Sequence, residues 1–147
     1  MDTNVIAVER CQDFGLCIKA KGESRGLVVW VDDQLEAIYA YVQFLSTHGF
    51  EVIAFNSPSA FGEWIERPEN RDKVSVLLID WWMPPGLDSK NFPHQYFQNF
   101  DQRAIGTAVI KYLRDKGFVI PICVVSGLTD KDGLIALVGR SDVKYLS

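Results

Sequence analysis

"LLIDWWMPPG" (Leu77–Gly86) is the stretch on which the fold turns. It closes the apolar run "KVSVLLID", and that run ends in a single carboxylate, Asp80. Two tryptophans, a methionine and two prolines follow at once and stop any strand. An apolar run without polar alternation suits a strand buried on both faces, as in a parallel sheet. A carboxylate at the exit of such a strand sits where open α/β sheets place their ligands.

Working outward, the same pattern recurs. "GLVVWVDD" is a second apolar run, ending in Asp32 and Asp33. The segment "QLEAIYAYVQFLSTHGF" carries Leu35, Ile38, Val42 and Leu45 at helical spacing, with Gly49 as its stop. "EVIAF" reads as a strand, and "SPSAFGEWIER" as a short helix with a Ser cap and a Pro in its first turn. Beyond Asp80, "AIGTAVIKYLRDKG" is a helix ending at Gly117 and "FVIPICVVSG" a strand. "TDKDGLIALVGR" is a weak helix and "DVKYLS" a final strand. Alternating strands and helices predict a doubly wound α/β fold with right-handed crossovers. Residues 1–26 stand apart: "NVIAVER" and "FGLCIKAK" read as two short strands, and "KGESRG" as a linker. The division expected is therefore an extension over 1–26 and one domain over 27–147.

Composition narrows the function. The chain has 147 residues, 48% apolar and 23% charged, as expected of one globular domain. Its net charge of −4 argues against a nucleic-acid-binding face. No apolar run is long enough to span a membrane and the start has no secretory apolar region, so the expected location is the cytoplasm. The three cysteines, Cys11, Cys17 and Cys123, include no CxxC pair. The odd count argues against a disulfide framework or a zinc site, and Cys123 reads as a small core residue.

Asp32 and Asp33, Asp80 and Ser126 each end an apolar run, so all four are expected on one rim of the sheet. Crowded carboxylates repel one another and raise each other's pKa. A hard divalent cation removes the conflict, and Mg²⁺ takes oxygen ligands. The reading is a Mg²⁺ site with one reactive carboxylate; the plain alternative is a set of helix caps and loop residues.

Taken together, "VVWVDD", "LLIDWWMPP", "VVSG" and "KYLS" resemble the marker segments of the response-regulator receiver (CheY-like) domain of two-component signalling, over Leu27 to Ser147. The resemblance implies a five-stranded parallel sheet in the order 2-1-3-4-5, flavodoxin-like. It implies that Asp80 is the phospho-acceptor, served by a sensor histidine kinase or phosphotransfer protein. Asp33 is then a direct Mg²⁺ ligand, Asp32 its acidic neighbour, and the backbone carbonyl of Trp82 a further ligand. Ser126 is the phosphate-sensing hydroxyl and Tyr145 the aromatic switch. The implied role is that of a signalling domain rather than an enzyme. It would assist its own phosphorylation and dephosphorylation, and act on an output domain or partner protein, with a homodimer as one form.

The chain departs from that pattern in three places. It stops at "KYLS", one residue before the family's lysine and without the fifth helix, as expected of a piece of a longer protein. Residues 86–103 are inserted between the third strand and its helix, where about 2 to 6 residues are usual. The insertion is rich in aromatics (Phe92, Tyr96, Phe97, Phe100) and reads as a self-packed loop or a docking surface. Trp82 is bulky and is expected to shield the acyl phosphate from water. The missing lysine and the insertion keep open a second reading, a pseudo-receiver acting as an interaction scaffold without phosphate. A hydrolase of the haloacid dehalogenase type would need an aspartate two places after the nucleophile; Trp82 stands there, so its general acid is absent.

Overall fold

The computed structural model describes residues 9–10, 15–80, 105–125 and 144–146. In chain order the elements are β1 (Glu9–Arg10), β2 (Gly15–Ile18), β3 (Leu27–Val31), α1 (Leu35–Thr47), β4 (Glu51–Phe55), α2 (Pro58–Ile65), α3 (Pro68–Arg71), β5 (Val74–Asp80), α4 (Ile105–Asp115), β6 (Ile122–Val125) and β7 (Lys144–Leu146). Strands β4, β3, β5, β6 and β7 lie side by side in that order and pair in parallel. Counted along the chain, the parallel strands run 2-1-3-4-5, the expected doubly wound arrangement.

The sheet is larger than the expected five strands. Among the described residues it has seven, because β2 pairs antiparallel with β4, and β1 antiparallel with β2. An edge strand presents an open row of N–H and C=O groups. Here the edge of β4 is closed by a four-residue pairing with β2, from Gly15 opposite Phe55 to Ile18 opposite Val52. The segment after β2 is stitched down as well. Lys21 N donates to Ser46 O, Arg25 N to Gly49 O and Glu51 N to Gly26 O. The Arg25 guanidinium lies over the Phe50 ring, 4.6 Å from its centroid.

Side chains of the central strands alternate between two apolar layers. Val29, Val31, Leu77, Ile79 and Ile122 pack with Phe61 and Ile65 of α2 and with Val109, Tyr112 and Leu113 of α4. Val28, Trp30, Val76, Leu78 and Cys123 pack with Ile38, Val42 and Leu45 of α1. Burial on both faces is why these strands read as unbroken apolar runs. Trp30 is fully buried, and its Nε1 has no hydrogen-bond partner among the described residues.

Helix ends follow local chemistry. The Ser57 side chain accepts from Ala60 N at 3.2 Å, and Pro58 opens α2. Gly49 and Gly117 adopt φ of +92° and +82° after α1 and α4, a left-handed conformation that terminates helices. Helix α3 was not expected; Pro68 presets its first turn. Strand β6 is shorter than the run "FVIPICVVSG", because Phe118 N closes α4 on Leu113 O and Pro121 has no N–H to give. Tyr112 donates to a Glu66 carboxylate oxygen, and Arg71 and Lys116 each lie 3.6 Å from that carboxylate. This cluster ties the end of α2 to α4.

One expectation is corrected. Cys17 is disulfide-bonded, whereas the buried Cys123 is outside any disulfide. An odd cysteine count excludes a complete pairing of all cysteines, not a single bond. The partner sulfur lies outside the described residues, as do the 86–103 insertion and the helix expected at "TDKDGLIALVGR".

Candidate functional site

The two central strands place the acidic residues. β3 is apolar throughout, so Asp32 and Asp33 are the first polar residues past its last buried position. β5 is buried from Val76 to Ile79, and Asp80 is its last residue. Because β3 and β5 are neighbours in parallel, their carboxyl ends meet at the same rim. It is also where chain order reverses across the sheet, the crevice at which this architecture binds ligands.

The three carboxylates converge there. One carboxylate oxygen from each of Asp32, Asp33 and Asp80 lies within 4.8 Å of the others. Asp32 is only 8% exposed, and Asp33 and Asp80 are half-buried. Asp32 is held on both sides. Its backbone N–H donates to Phe55 O at the end of β4. Its Oδ1 accepts from Gln34 N at 2.8 Å, which also braces the turn into α1. Asp32 is therefore both a cap and a member of the cluster.

Burial raises the Asp32 carboxyl from 3.8 to about 7. The Gln34 N–H pulls the other way, and the charges of Asp80 and Asp33 push it further up. A buried carboxyl facing two others at close range is costly without a cation. The donors are all carboxylate oxygens, the set a hard divalent ion such as Mg²⁺ takes. The residues present thus fit Mg²⁺.

Of the other expected site residues, Trp82 and Ser126 lie outside the described residues. Tyr145 is the middle residue of β7, paired with Val124. The ladder runs from Asp80 to Val125 to Leu146, so Tyr145 stands one residue below the level of Asp80, beyond β6. The backbone contacts of Asp32 to Gln34 and Phe55 were not foreseen. An aspartate two places before a helix-opening Gln is the signal that could have shown the first.

No sequence-family model matches the chain, and no curated protein matches it. Solved structures do. The chain resembles a response regulator receiver domain protein from Clostridium thermocellum (TM-score 0.53, 16% identity, 82% of this chain and 80% of that one). It resembles a response regulator receiver protein from Pseudomonas putida (TM-score 0.51, 19% identity, 84% and 85%). A third is a DNA-binding response regulator of the LuxR family from Staphylococcus aureus (TM-score 0.50, 22% identity, 82% and 85%). The fold is that of receiver domains.

Proposed function

We propose that this chain is a phosphorylation-controlled receiver that takes a phosphoryl group on Asp80 from a sensor histidine kinase or phosphotransfer protein. The observation that carries the proposal is the meeting of Asp32, Asp33 and Asp80 at the rim of β3 and β5. In the step, a carboxylate oxygen of Asp80 forms a bond to phosphorus while the bond from phosphorus to the donor imidazole breaks. The imidazole leaves with a proton.

Asp33 and Asp32 would hold Mg²⁺ together with Asp80 and the Trp82 carbonyl. When bound, Mg²⁺ supplies charge neutralisation for the transferring oxygens. Asp80 is positioned by a rigid central strand, which favours in-line approach. Ser126 bonds the new phosphate, Tyr145 turns in response, and Trp82 shields the acyl phosphate. The added charge biases an equilibrium between two conformations, which an output domain or a partner protein reads. The site is the cytoplasm, and the role is signalling rather than turnover.

The test is incubation with a small acyl phosphate donor and Mg²⁺, followed by intact mass. A single hydroxylamine-labile phosphoryl group is expected on the wild-type chain and none on Asp80→Asn. Equal labelling of the variant would overturn the assignment. Asp33→Asn is expected to raise the Mg²⁺ requirement about tenfold or more. Trp82→Ala is expected to dephosphorylate faster; an unchanged rate sinks the shielding role. Failure of the wild-type chain to bind beryllofluoride with Mg²⁺ would favour the scaffold reading.

A further inference from the structure

We infer that a cleft at the amino ends of β3 and β4 is a binding site for a free α-amino acid with an apolar side chain, held as a zwitterion between Glu51 and Lys73. The inference does not depend on phosphoryl transfer, because the cleft lies at the opposite end of the sheet from the acidic crevice.

The cleft has a volume of about 370 Å³, enough for a small molecule. Strand starts bring its walls together. Leu27 opens β3 and Glu51 opens β4, and the two are partners in register. Lys73 immediately precedes β5. Glu51 and Ile53 lie two residues apart on β4, so they face the same side of the sheet. On that side α2 supplies Trp64 and α3 supplies Asn70.

Asn70 is the residue that points to a ligand. It is only 7% exposed, and its Nδ2 donates to Trp64 O at 2.8 Å. A carbonyl oxygen can only accept, so this bond fixes the amide with Oδ1 as the atom left over. Among the described residues that Oδ1 has no partner, although Asn70 lines the cleft. An amide oxygen taken this far from bulk water is stabilised by a donor. Glu51 and Lys73 line the same cleft, and neither side chain forms an ion pair or hydrogen bond among the described residues. Opposite charges that share a cleft without meeting suit a molecule carrying both signs. A lone anion would face Glu51, and a lone cation would face Lys73. An α-amino acid answers every group: its ammonium donates to Glu51 and Asn70 Oδ1, and its carboxylate accepts from Lys73. Its apolar side chain lies against Leu27, Ile53 and Trp64.

The experiment is calorimetric titration of the full chain with L-leucine, leucinamide and N-acetylleucine, in EDTA and again in Mg²⁺. Leucine is expected to bind one-to-one in both buffers. Leucinamide, which lacks the carboxylate, and N-acetylleucine, which lacks the ammonium, are each expected to bind about tenfold more weakly or worse. Lys73→Met is expected to bind leucine and leucinamide equally, and Glu51→Gln to bind leucine and N-acetylleucine equally. A general loss of structure would not produce that pattern, and the comparison of the three probes on the wild-type chain needs no variant. Absence of saturable binding of leucine, isoleucine and phenylalanine overturns the inference. So does equal binding of the three probes by the wild-type chain, which would mean apolar contact alone. So do variants that keep the wild-type discrimination, which would put the site elsewhere. Loss of leucine binding on adding Mg²⁺ would move the amino acid to the acidic crevice, and overturns it as well.

Discussion

Asp32 carries three duties in one side chain: it braces the entry to α1, is anchored through Phe55, and faces two other carboxylates. Its raised pKa has a consequence for stability. The folded chain holds this proton up to pH about 7, whereas an unfolded chain releases it near the ordinary value of 3.8. Between those values the folded state binds more protons, so stability falls as pH rises. The loss is at most about 4 kcal/mol, from three units at about 1.36 kcal/mol each. In the presence of a chelator, Tm is expected to drop between pH 5 and 7.5, and Mg²⁺ to restore it at the upper end. Asp32→Asn should flatten that slope; an equally steep profile for the variant would place the proton on another group.

Single elements have identifiable weak points. The cap of α2 rests on the Ser57 side chain, so Ser57→Ala is expected to cost about 1 kcal/mol, read as a lower denaturation midpoint. The turn after α1 is stricter. Gly49 lies at φ +92°, and a Cβ there would meet the Arg25 side chain at 3.0 Å. Gly49→Ala is thus expected to destabilise by about 1 kcal/mol or more, and a neutral midpoint would show that the turn can relax. The Tyr112 hydroxyl bridges to Glu66, and Tyr112→Phe removes that bond while leaving the ring in place. A cost of about 1 kcal/mol follows, measurable against Glu66→Gln in a double-mutant cycle.

On the scale of the whole molecule, the parallel core was legible because each central strand is an unbroken apolar run ending in polar residues. Leu27–Val31 and Val74–Asp80 advertise both their burial and their exit. The seven-stranded sheet was not legible. "GLCI" is four residues long, and nothing local says that it pairs with a strand more than 30 residues away. The Cys17 bond was hidden for a related reason: a count of three says nothing about which two are close. The acidic crevice was legible as a set of strand ends. The dual use of Asp32 was not, since it depends on a backbone turn rather than on residue type.

Cys123 gives the molecule a built-in clock. Its thiol lies in β6, paired on both sides by β5 and β7 and sealed from solvent, so no reagent reaches it while the sheet is closed. Alkylation of that one thiol therefore counts openings of the central sheet, event by event. Its rate, followed by mass with the Cys17 bond intact, reads how often the core of the fold comes apart in otherwise native protein.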